Sequence, residues 1–194
     1  MGVNWAAGLM RWQPHADPVT GVAYPLHHLH PFRFALQLPE SAKYPALEVD
    51  MRIGFSMHTF TRKEIGAGDS AWRYSDDRET RIFDLDRYAL SKHLPEVVRT
   101  IERRKCYHAK DQNFLTLSQP DGLPAGHEYQ VFFDLRRWRA KEVPGGPPVI
   151  QLIVQSAYAT LYGQAPRGLR RQPVGFHVLI NGTVTGNRPQ PRRY

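Results

Sequence analysis

Glu128-Tyr-Gln-Val-Phe-Phe-Asp-Leu-Arg136 and Val149-Ile-Gln-Leu-Ile-Val-Gln-Ser-Ala-Tyr158 read as two strands of one sheet. In the first stretch Tyr129, Val131, Phe133 and Leu135 recur at every second position, so an extended backbone turns them to one side. In the second, Ile150, Leu152 and Val154 share a side, with Tyr158 a further candidate. Val149, Ile153 and Ala157 occupy the other side. A strand apolar on both sides predicts a central position, buried on both faces. Pro144-Gly-Gly-Pro-Pro148 separates the two stretches and reads as a turn.

Working outward, Phe32–Leu38 alternates as a strand and stops at Pro39. Val49–Arg62 predicts a longer one. Val49, Met51, Ile53, Phe55 and Met57 form its apolar face, and Asp50, Arg52, Ser56, His58 and Arg62 its polar face, with Phe60 an exception. Asn113–Ser118 and Phe176–Asn181 are the remaining strand candidates. Residues 63–81 read as a polar loop. A helical region opens near Asp84, with Leu90, Leu94, Val97, Val98 and Ile101 at helical spacing. Acidic Asp84 and Asp86 stand at its start and basic Arg99, Arg103, Arg104 and Lys105 at its end, as the helix dipole favours. Pro95 cannot donate within a helix, so it predicts the first residue of a second helix.

The expected fold is α+β: an antiparallel sheet with one principal helical segment, in the order β-β-α-β-β-β-β. The expected organisation is an irregular extension over 1–31 packed by Trp5 and Trp12, one domain over 32–186, and a flexible basic tail over 187–194.

Composition narrows the partners. The 194 residues carry a net charge of +8, with a pI near 9.8. Such a charge attracts polyanions over long range. It points to nucleic acid, RNA favoured, or to an acidic protein. A membrane partner is not expected, because no basic helix has a broad apolar face. The single cysteine, Cys106, rules out an intrachain disulfide, which suits the cytoplasm. No motif implies a cofactor.

Two chemistries remain open. His58, near Ser56 and Arg62, could move a proton while an arginine steadies charge on a phosphate. That makes His58 and His127 the catalytic candidates for a metal-independent endoribonuclease-like protein. The contact candidates for nucleic acid are Arg62, Arg87, Arg136, Arg137, Trp138, Arg139, Lys141, Arg170 and Arg171. Within Arg136–Lys141 the indole could stack on a base while the arginines hold phosphates. The alternative is a non-catalytic adaptor that binds nucleic acid or an acidic protein. His27, His28 and His30 are close enough in sequence to suggest metal ligands. No CxxC or HExxH accompanies them, and no metal site is assigned.

Tyr24-Pro-Leu-His-His-Leu-His-Pro-Phe32, Gly54-Phe-Ser-Met-His-Thr-Phe-Thr61, Arg81-Ile-Phe-Asp-Leu-Asp-Arg-Tyr-Ala-Leu-Ser91 and Val131-Phe-Phe-Asp-Leu-Arg-Arg-Trp138 together resemble a bacterial family sometimes labelled a stationary phase growth adaptation protein. That label implies no particular chemistry. Separately, the helix-then-strands order over about residues 82–182 is similar to the barnase, RelE and colicin group of small basic ribonuclease toxins. This likeness of architecture implies an RNA substrate.

Overall fold

The computed structural model describes residues 9–65, 67–108, 113–117, 122–161 and 172–187; the side chains of 67–69 and 113–117 lie outside that description. Its strands, in chain order, are β1 (His15–Ala16), β2 (Ala23–Tyr24), β3 (Phe32–Leu38), β4 (Leu47–Phe55), β5 (Thr61–Arg62), β6 (Arg73–Ser75), β7 (Thr80–Phe83), β8 (Cys106–His108), β9 (Asn113–Leu117), β10 (His127–Arg137), β11 (Val149–Leu161) and β12 (Gln172–Val174). The helices are α1 (Leu85–Ser91), α2 (Leu94–Arg99) and α3 (Phe176–Thr185). The principal sheet has seven strands in the order β12-β8-β9-β10-β11-β4-β3. All its neighbours are antiparallel except β11 and β4, which run parallel. The fold is α+β, as the alternation predicts. β1 pairs with β2, and β5, β7 and β6 form a small third sheet.

One face of the principal sheet carries the core. Val49, Met51, Ile53 and Phe55 from β4 are fully buried with Tyr129, Val131, Phe133 and Leu135 from β10 and Ile150, Leu152 and Val154 from β11. Leu90, Leu94, Val97, Val98 and Ile101 join the same cluster from the helical region. Each such side chain contributes about 1.5–3 kcal/mol by leaving water. The helical region breaks where Pro95 requires it. α1 ends at Ser91, and α2 carries the proline in its first turn, where a missing N–H costs nothing. The Asp84 carboxylate caps α1 by accepting from the Arg87 N–H at 2.9 Å.

Three expectations need correction. Phe176–Asn181 is not a strand but most of α3. Phe176, Leu179, Ile180 and Thr183, at i, i+3, i+4 and i+7, form its buried stripe, with Asn181 and Gly182 buried beside them, and Gly186 ends it in the left-handed conformation at φ 84°. Burial of this stripe against β10, with Phe133 and Phe176 rings 6.2 Å apart, outweighs the β preference of the residues themselves. The strand expected to run to Arg62 stops at Phe55. There the Ser56 N–H turns to the Val154 carbonyl and its hydroxyl accepts from the His58 N–H, starting a 3-10 turn over Met57–Thr59. The expected loop 63–81 contains β6 and the start of β7.

Trp12 meets its expectation as an anchor. Its Nε1 donates to the Phe55 carbonyl at 3.0 Å, and its ring lies edge-on to Phe60 and Tyr74. Trp5 and the tail from 188 onward lie outside the described residues. Among the described residues no helix is long and apolar enough to cross a membrane.

Candidate nucleic-acid interface

The register of four neighbouring strands builds a row. Arg33 of β3 stands opposite Arg52 of β4, Arg52 opposite Gln151 of β11, and Gln151 opposite Arg136 of β10. Alternation turns all four away from the core, because Met51, Ile53, Ile150, Leu152 and Leu135 beside them point into it. Neighbouring strands lie about 4.8 Å apart, so three guanidinium-bearing positions fall within ~15 Å. The row is held from within: Arg136 donates to Gln151 Oε1 at 2.7 Å and Arg52 to Asp50 Oδ2 at 3.0 Å. Asp50 thus pairs a carboxylate with the row. Among the described residues Arg52 Nε is buried without a hydrogen-bond partner.

Trp138 borders this row. Its N–H bonds the Val149 carbonyl at 2.8 Å, fixing it where β10 leaves the sheet. The Arg136 guanidinium lies 6.0 Å and the Lys141 ammonium 5.6 Å from its ring centre, both within cation–π reach. A groove of about 550 Å³ runs along these residues, lined by Leu9, Pro31, Phe32, Arg33, Arg52, Trp138 and Lys141.

The predicted contact residues therefore divide. Trp138 and Lys141 line the groove, Arg136 lies beside the Trp138 ring, and Arg139 is exposed in the adjoining turn Arg139–Lys141. Arg137 points to the opposite face. It grips Glu142 through two bonds at 2.7 and 2.9 Å and the Val184 carbonyl at 2.7 Å, tying α3 to β10. That bidentate pair holds the Glu142 carboxyl below its usual range. Arg170 and Arg171 lie outside the described residues.

Arg62 and Arg87 belong to a second cluster with His58. The His58 Nε2 and Glu79 Oε1 are 2.6 Å apart, and Glu79 also meets Arg81 at 3.5 Å. Arg87 donates to the His58 and Thr61 carbonyls at 3.0 and 2.8 Å, and its guanidinium stacks 5.3 Å from the Tyr158 ring centre. Arg62 faces Asp84 at 3.5 Å. Burial pulls the Arg87 guanidinium below its ordinary value, with Asp84 opposing. Near this cluster β11 carries a bulge, its register against β10 slipping between Phe132 and Phe133. Gln130, the partner of Tyr158, is six residues from Arg136 along β10, roughly 20 Å. His127 opens β10, nine residues from Arg136, and meets the Ala125 carbonyl at 3.0 Å. The catalytic candidates thus stand apart from the groove, and His58 sits on a 3-10 turn instead of a strand face.

Arg33 and Arg52 are the groove residues that charge clustering along the sequence misses, since each is isolated among apolar neighbours. Their signal is the polar phase of two alternating strands.

Two of the three clustered histidines are hydrogen-bonded to the protein. His28 Nε2 meets Ser91 Oγ at 2.8 Å and His30 Nε2 the Trp12 carbonyl at 3.2 Å. Among the described residues no group of three or more His, Cys, Asp or Glu is arranged to hold a metal ion. Cys106 is buried, which pushes its thiol up to about 12 and leaves it unreactive, despite basic neighbours in sequence.

Burial, with His27 and Lys92 nearby, lowers His28 to about 4. Below pH 6.5 the unfolded chain takes up a proton that folded His28 refuses until about pH 4. Its contribution to stability is therefore fully present above pH 6.5 and lost as pH falls toward 4. His28→Gln, which keeps a donor for Ser91, is expected to lose less stability than the wild type between pH 7 and 5. The difference should be on the order of 1–2 kcal/mol after allowance for partial exposure. Urea unfolding at the two pH values measures it. Equal losses would contradict a His28 buried neutral.

The sequence profile of the YjaZ family matches residues 15–184, from β1 through all but the last residue of α3. The chain belongs to the YjaZ family. No curated protein and no solved structure matches it. Every described residue of the YjaZ-family groove except Leu9 falls inside the matched span. The match itself carries neither a stationary-phase role nor a ribonuclease activity.

Proposed function

We propose that this YjaZ-family chain binds single-stranded nucleic acid, RNA foremost, in the groove lined by Arg33, Arg52, Trp138 and Lys141 at the edge of the Arg33–Arg52–Gln151–Arg136 row, as a binder and not as a nuclease. The row is the observation that carries the reading. Three arginines stand side by side along the row, where their like charges repel, Arg52 being paired with Asp50 and Arg136 bonded to Gln151. A phosphate chain laid across them removes that repulsion and releases its own counterions. Trp138 offers an aromatic surface at the groove wall, and base–aromatic stacking is worth about 1–3 kcal/mol per base. A duplex keeps its bases stacked inside and cannot use the indole this way.

Fluorescence anisotropy with a labelled oligouridylate tests the reading. Single strands are expected to bind in dilute salt and to dissociate as salt rises. Trp138→Ala should weaken them by roughly tenfold, with little change for a duplex of the same length. Equal binding of duplex and single strand, or an unaltered Trp138→Ala variant, overturns it. So does competition by polyglutamate that matches RNA, which would make an acidic protein the partner.

The 2.6 Å His58–Glu79 contact supports a second reading, cleavage of RNA at the His58 cluster, with the carboxylate orienting the imidazole. RNA cleavage that His58→Ala abolishes and His127→Ala leaves intact would establish it. Absence of cleavage by the wild type removes it.

A further inference from the structure

We infer that β3 is a dimerisation strand, pairing antiparallel with β3 of a second copy of this chain about a two-fold axis at Ala35. β3 is the last strand of the principal sheet, bonded to β4 on one side. Among the described residues nothing pairs with its other side, and Arg33, Ala35 and Gln37 are exposed. An unpaired edge of seven residues is a ready template for another strand.

The choice of a second copy rests on self-complementarity. Ala35 is the midpoint of Phe32–Leu38, and Pro31 and Pro39 bound the strand at equal distance from it. Antiparallel pairing about Ala35 sets Phe34 opposite Leu36 of the partner subunit and Phe32 opposite Leu38 of the partner subunit, all on the apolar face. Arg33 meets Gln37 of the partner subunit on the polar face, so the one charge on the edge avoids its own copy. The smallest side chain of the strand lies on the axis, where it would meet its own image.

The other end of the sheet explains why the assembly closes. There β12 is three residues long and has Pro173 at its centre. A proline and so short a strand discourage further pairing. One open edge and one blocked edge give an isologous dimer, not a filament. The inference stands on the strand edge alone and holds whether or not the groove binds nucleic acid.

Light scattering after size exclusion, over a roughly hundredfold dilution series, tests it. The wild type is expected to dimerise, with dissociation in about the micromolar range for so small an interface. Ala35→Lys and Ala35→Asp should each be monomeric while keeping the wild-type circular dichroism, because Ala35 is exposed. Mixing the two should restore a dimer by setting opposite charges across the axis. A wild type that stays monomeric throughout overturns the proposal, as does an Ala35→Lys variant that dimerises like the wild type. Failure of the mixture to dimerise would place the contact elsewhere and overturn it too.

Discussion

Trp12→Ala is expected to lower the free energy of unfolding by about 3–5 kcal/mol, a large fraction of what a domain of this size possesses. The indole is 3% exposed and lies 5.4 Å from the Phe60 ring and 6.2 Å from that of Tyr74. Its N–H serves the Phe55 carbonyl, the last of β4, just where the chain turns out of the strand. Truncation leaves a cavity among three elements and orphans a buried carbonyl, and the two costs add. Trp12→Phe separates them: it keeps most of the volume and loses the donor, so about 1–2 kcal/mol is expected. Urea unfolding at constant m-value measures both. A loss under about 1 kcal/mol for Trp12→Ala would mean that the segment before β3 does not clamp the domain.

The triple variant Arg33→Gln, Arg52→Gln, Lys141→Gln is expected to lose on the order of a hundredfold in affinity for single-stranded RNA in dilute salt. The slope of log affinity against log salt should fall by about 2, since each lost phosphate contact removes about 0.7 on a single strand. Glutamine keeps polar reach at each position while removing the charge, and Arg33 and Lys141 are exposed, so the fold should persist. A matched triple at Arg62, Arg81 and Arg87 is the comparison. Those three are engaged with Asp84, Glu79, Thr61 and backbone carbonyls, so their loss should reduce stability more than the salt slope. A groove triple with an unchanged slope would show that the phosphates lie elsewhere.

The histidines show where reading along the chain reaches its limit. Alternation from Val49 to Phe55 is a local property of the backbone, and it places Arg52 correctly on the polar face. Extending the same alternation to His58 fails because Ser56 caps a turn, and Val154, whose carbonyl takes the Ser56 N–H, is about a hundred residues away. The α3 error has the same origin. Phe176–Thr185 satisfies both a strand and a helix pattern, and Gly175 and Gly186 are boundary signals for the helix. What selects the helix is the apolar surface of β10 that its stripe covers.

Period-two alternation, the break at Pro95 and the acidic start of the helical region at Asp84 follow from the sequence alone, because each depends on residues a few positions apart, and the excess of positive charge follows from composition. An α+β sheet protein with a polar sheet face was legible on that basis. The row Arg33–Arg52–Gln151–Arg136 was not. It requires β4 and β11 to pair in parallel across about a hundred residues, in a register that local patterns leave undetermined. Only the packing of both strands onto one core sets that register, and with it which arginines stand together. The same packing sends Arg137 to the far face to hold α3, one residue from an arginine that lies beside the Trp138 ring.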